Sequence, residues 1–167
     1  MTFYETLLQE VADSGLTVHE RYDLGNANVG ENDRLLGLCY GNHIALAQEL
    51  ETEPERLCIL AEEYAHALKT VGNILDQSDV DNRKQERKAR GLSYDRLFGI
   101  EGIVDALKEG CANTFEMSAH LNVTEKVLLE ALNYYEEKYG TRLETDDYDL
   151  YFEPCLMLFM KGKGKEP

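Results

Sequence analysis

The chain has 167 residues, 43% of them hydrophobic, which suits one buried core and hardly two, so one compact domain is expected. Lys and Arg total 17 against 32 Asp and Glu, and the resulting formal charge of -15 repels phosphate backbones, which disfavours a general nucleic-acid binder. No apolar run approaches the roughly 20 residues that cross a bilayer, and the opening MTFYETLLQE lacks the basic and apolar regions of a signal peptide, so a soluble, cytoplasmic protein with no membrane partner is expected.

Thr2 and Glu5 form a capping box, and Phe3, Leu7, Leu8 and Val11 recur at helical spacing, predicting an amphipathic helix over 2–14 that ends at Ser14-Gly15. Leu16 to Tyr22, Leu35 to Tyr40 and His43 to Ala47 are short apolar segments, with Gly41-Asn42 as a two-residue hairpin turn between the last two. They predict a small antiparallel sheet, and Gly25 to Arg34 reads as a polar loop. A second capping box, Thr52/Glu55, opens a helix over 53–69 whose stripe is Leu57, Leu60, Ala61, Tyr64, Ala65 and Leu68.

The polar stretch Thr70 to Asp81 separates this helix from another, NRKQERKARGLSYDRLFG, in which Arg83, Lys84, Arg87, Lys88 and Arg90 surround Glu86. Further helices are expected near Glu101 to Glu109, Thr114 to His120 and Thr124 to Tyr139, with Gly110 and Gly140 as stops. After an acidic loop, Tyr148 to Met160 is apolar, is broken by Pro154, and reads as a strand or irregular extension before a disordered tail, 161–167. Cys39, Cys58, Cys111 and Cys155 form no CxxC pair and read as buried free thiols. His19, His43 and His120 have no partner at ligand spacing and are expected to be structural.

The run Ala61-Glu62-Glu63-Tyr64-Ala65-His66 has the outline of HExxH with glutamate in the first histidine position. At four-residue spacing Glu62 and His66 share a helical face and can reach one metal ion, and Glu63 beside them can accept a proton from a water that the metal activates. Glu86, twenty positions after His66, can supply a third ligand from the next helix if it folds back. Spacing alone equally allows an exposed acidic face with a lone histidine. The apolar flank of Leu57, Ile59 and Leu60 favours the site, because charges on a buried helix need a partner.

The run CILAEEYAHALKTVGNILDQSDVDNRKQERKARGLSYDRLFG, Cys58 to Gly99, resembles the central region of ImmA/IrrE-type metallopeptidases, and the similarity extends through most of the chain, from MTFYETLL to the FEP near Phe152. The resemblance implies a zincin-like α+β fold in a single domain, 1–160. A small N-terminal antiparallel sheet packs there on a metal-site helix pair (1–99), followed by a helical extension (100–160). It also implies a zinc-dependent endopeptidase of a prophage or integrative element that cleaves a helix-turn-helix repressor. Carried onto matching positions, it gives Glu62, His66 and Glu86 as metal ligands and Glu63 as general base. Many similar phage members read EELGHH, whereas this chain has Ala65 and Ala67 in place of the glycine and the second histidine. One imidazole and two carboxylates make a harder donor set, for which manganese or no metal are the alternatives to zinc.

Two rival readings remain open. The same scaffold can hold a repressor without cutting it. The pair Thr114 to Tyr139 has the outline of a DNA-reading helix-turn-helix, but Glu125, Glu130, Glu136 and Glu137 make its second helix ill suited to phosphate. Leu121, Val123, Val127, Leu128 and Leu132 are expected to face inward there. The basic cluster around Glu86 reads as a solvated face, and Tyr94 as an ordinary helix tyrosine rather than an oxyanion donor.

Overall fold

The structure is a computed structural model and describes residues 1–25, 34–70 and 79–162, with backbone alone for 70 and 79–83. It is α+β and divides into two compact units, Met1–Leu97 with Asn122–Thr124, and Phe98–Leu121 with Glu125–Pro167. No helix among the described residues is long and apolar enough to cross a membrane.

In the first unit, α1 spans Phe3–Asp13 and carries the expected capping box, with the Glu5 amide on Thr2 Oγ1 and the Thr2 amide on Glu5 Oε2. Three strands follow, β1 (Thr17–Tyr22), β2 (Gly37–Tyr40) and β3 (His43–Ala47). β2 and β3 form the expected hairpin, with Tyr40 opposite His43 across Gly41-Asn42 and Gly41 at φ 58°. The sheet is mixed, however, not antiparallel: its order is β1-β3-β2, and β1 runs parallel to β3 with Thr17 opposite His43 and Val18 opposite Ile44. A tight turn can join only antiparallel neighbours, and β1 and β3 are joined through β2 instead, so hairpin signals carry no information about this pairing.

Helix α2 (Glu53–Thr70) begins where Thr52 and Glu55 predict, with the Thr52 amide and hydroxyl both on Glu55 Oε2. Leu57, Leu60, Ala61, Tyr64 and Ala65 are buried along its stripe, whereas Leu68 is 42% exposed and the buried face ends at Ala67. Helix α3 (Asp79–Leu97) packs against α2, and Arg96 near its end stacks over Tyr64 at 4.7 Å while its guanidinium pairs with Glu10 of α1 at 2.7 Å. The sheet presents Ile44 and Leu46, both fully buried, on the face that α2 covers, and leaves His43, Leu38 and Tyr40 exposed on the other. The polar loop expected at 25–34 falls largely on 26–33, outside the described residues, and so does 71–78 of the polar stretch expected from Thr70 to Asp81; Thr70 itself still belongs to α2, and α3 begins at Asp79, earlier than expected.

The second unit holds α4 (Gly99–Lys108), α5 (Thr114–His120), α6 (Glu125–Tyr139) and an antiparallel sheet of β4 (Arg142–Glu144), β5 (Tyr148–Tyr151) and β6 (Met157–Met160). The C-terminal half is therefore not simply helical. The apolar run from Tyr148 is two strands that turn back around Pro154, and the acidic loop before it contains β4. Leu128, Ala131 and Tyr135 of α6 are buried, with Val127 and Leu132 partly so. Lys161, expected in the tail, is held by its amide on the Asp147 carbonyl and its ammonium on the Thr145 carbonyl and the Glu144 and Asp149 carboxylates. Residues 163–167 lie outside the description.

Candidate metal centre

Three of the sequence-derived residues, Glu62, Glu63 and His66, lie on α2, and Glu86 lies on α3. The antiparallel return of α3 brings His66 Nδ1 to 3.9 Å from Glu86 Oε1. Two donors each about 2.1 Å from one tetrahedral ion stand roughly 3.4 Å apart, so this imidazole and carboxylate fit a shared ion after a small rotation of the more exposed Glu86. Glu62 is half-buried one turn earlier on the helix. Among the described residues no group of three or more His, Cys, Asp or Glu side chains is gathered tightly enough to hold a metal. His66 and Glu86 thus form a two-donor pair, with Glu62 outside it.

Glu63 is partly buried where β2 approaches α2. Burial pushes its carboxyl up to about 7, with the neighbouring Glu62 and then Glu86 charges adding to the rise, while a hydrogen bond from the Cys39 backbone amide opposes it. The strand explains that bond. β2 is the edge of its sheet, and the Ala47 amide bonds the Leu36 carbonyl, so in the antiparallel alternation Cys39 belongs to a pair whose amides point away from β3. Close approach of strand to helix requires Gly37: a Cβ there would stand 2.6 Å from Ile59 Cγ2 and 2.7 Å from Glu63 Cγ. The Cys39 thiol shares the site, and burial followed by the Glu63 charge raises its pKa.

Lys69, one turn after His66, has an ammonium buried without a hydrogen-bond partner among the described residues. Burial lowers its pKa while the Glu86 carboxylate acts in the opposite sense. That cation and a metal ion would draw on the same carboxylate. Gly37 and Cys39 carry no sequence signal for a role here, because their placement depends on how the strand meets the helix; Lys69 was legible as the i+3 neighbour of His66.

Elsewhere, Lys84, Arg87, Lys88 and Arg90 are exposed, as a solvated face requires, and Arg83 is described by its backbone alone. Tyr94 is buried at 5% exposure. Of the four free cysteines only Cys58 is buried; Cys39 and Cys111 are partly so and Cys155 is exposed, so free thiols are found but not a uniformly buried set. His19 and His43, which have no partner at ligand spacing in the sequence and are expected to be structural, meet across the sheet, and His120 lies 3.6 Å from Asp105. No protein-family model matches this chain, and no curated protein or solved structure matches it significantly.

Proposed function

We propose that the chain is a metal-dependent endopeptidase of the ImmA/IrrE type, zincin-like in fold, acting in the cytoplasm on a helix-turn-helix repressor of a mobile element. The observation that carries this reading is the Glu63 carboxyl, brought to about 7 by burial beside the His66 and Glu86 pair. A carboxyl poised near neutral pH can both accept and return a proton, which is the requirement for a general base that becomes a general acid within one turnover. Glu63 takes a proton from the attacking water and delivers it to the leaving amine nitrogen. The Cys39 amide fixes the carboxylate at the sheet edge, where an extended peptide lying along β2 would present its scissile bond. His66 and Glu86 would hold the ion, zinc or manganese, with Glu62 a third ligand only if its side chain swings towards the pair, and the ion would supply Lewis-acid polarisation of the scissile carbonyl.

A second reading, a binding module that holds the repressor uncut, is supported by the two-donor arrangement and by Ala67 where many similar phage chains have histidine. Metal content by mass spectrometry on untagged protein, followed by incubation with repressors encoded nearby, separates the two. Stoichiometric metal with cleavage products supports the peptidase. Repressor binding with neither metal nor cleavage, under added zinc or manganese, replaces it with the module, and salt-sensitive binding to duplex DNA without repressor affinity would replace both with a regulator acting through residues 114–139.

A further inference from the structure

The exposed face of the first sheet carries a feature that the candidate centre does not use. His19 on β1 and His43 on β3 place His19 Nε2 and His43 Nδ1 3.0 Å apart, with ring centroids 5.2 Å apart and planes inclined at 36°. The pairing register accounts for the meeting. Thr17 stands opposite His43 and His19 opposite Ala45, so the two histidines are diagonal neighbours on one face, the one turned away from the Ile44 and Leu46 core. Beyond His19 the register shifts, with Arg21 at φ 56°, which ends the regular ladder beside the pair.

At 3.0 Å the two nitrogens share one proton, so at least one ring offers a lone pair towards the other. If that proton moves to the far nitrogen of its own ring, with no net proton lost, both rings offer a lone pair into the gap, and a turn of each lone pair about 45° off the N–N line aims both at one ion. Two imidazole nitrogens about 2.1 Å from an ion and at a right angle to each other stand about 3.0 Å apart, the separation found here. We propose that His19 and His43 form a two-imidazole chelate for a late first-row divalent ion, binding copper(II) more tightly than nickel(II) or zinc(II), with solvent in the remaining positions. Both residues are exposed, so the ion has free access, and the net charge of -15 draws cations towards the molecule. Binding ties the edge strand β1 to the central strand β3. The proposal does not depend on the peptidase reading.

The test uses the untagged full-length chain carrying His66→Ala, which removes the imidazole of the candidate centre. Copper(II) is titrated and followed by electron paramagnetic resonance, with zinc(II) by equilibrium dialysis in parallel. The expected result is nitrogen hyperfine structure from two imidazoles, a copper-dependent rise in Tm, and affinity weakened about tenfold or more by His19→Gln or His43→Gln, with the double variant little weaker than either single one. Modification by diethyl pyrocarbonate, mapped by mass spectrometry on the unsubstituted protein, provides a readout that needs no variant: copper should protect His19 and His43 together. Affinity unchanged in both single variants, loss of all binding in His66→Ala, or no protection of either histidine would each overturn the site.

Discussion

The two units treat their charges differently. In the second, Arg142 and Lys161 lie between Glu144 and Asp149 at 2.9–3.3 Å, and the Tyr148 hydroxyl donates to Glu101 at 2.8 Å, so opposite charges are paired along the small sheet, the buried Asp149 Oδ1 included, which has Lys161 as its ion-pair partner. In the first, α2 carries Glu62, Glu63, His66 and Lys69 within two turns, and burial there raises a carboxyl and lowers an ammonium. Matched surface pairs add little stability and ask for nothing more. Half-buried, mismatched charges cost stability unless something else, a proton or a cation, satisfies them, and so they mark where chemistry is to be sought.

Breaking the mismatch on α2 should have the largest effect. Glu63→Gln keeps the shape and removes the base, so cleavage of a cognate repressor should fall by about 10²- to 10⁴-fold while metal content stays the same; equal rates for the two proteins would remove Glu63 from the mechanism.

The same substitution sharpens the comparison through stability. Glu63 has its folded pKa raised from an ordinary 4.5 to about 7. The folded state therefore holds the proton more tightly than the unfolded chain. This contribution to stability is fully present below about pH 4.5 and is lost as pH rises towards and through 7, by up to about 3 kcal/mol in metal-free protein. Urea unfolding of chelator-treated protein should show that decline in the wild type and a flatter profile over the same window in Glu63→Gln. Parallel profiles would mean that Glu63 is not buried as described.

Gly37→Ala should cost about 1–3 kcal/mol, since β2 must retreat from Ile59 and Glu63 to admit a methyl group, and it should also loosen the Cys39 amide from the carboxylate. Thermal unfolding measures the first effect, and hydrogen exchange at Cys39 the second. In the other unit Tyr148→Phe, which removes one hydrogen bond at a partly buried pair, should cost only about 1 kcal/mol and leave the proposed cleavage unchanged.

What the sequence made legible is local. Thr2 with Glu5 and Thr52 with Glu55 are three residues apart, and both helix starts follow from that spacing alone. The pairing of β1 with β3 is not local, and with it went the meeting of His19 and His43, 24 positions apart. β4 escapes a sequence reading for another reason: Arg142-Leu143-Glu144 is too short and polar to announce a strand, and only pairing with Leu150 and its neighbours makes it one. At the candidate centre the spacing of Glu62, Glu63 and His66 was readable because a helix fixes it. The facing of Glu86 needed α3 to return, and the Gly37 and Cys39 contacts needed β2 to reach α2, neither of which a periodicity records.

Gly37 has a consequence at the level of the gene. Every amino acid reached from a glycine codon by one nucleotide change carries a Cβ, and at this position that atom would enter the space of Ile59 and Glu63. The codon thus has no harmless missense neighbours, in contrast to Gly15, Gly41 or Gly110, where a Cβ would meet nothing within 4 Å and only the backbone angle resists replacement. In a deep mutational library of this chain Gly37 should stand out as intolerant of every side chain, small ones included, and alanine should separate it from the turn glycines, since it probes packing there and little else.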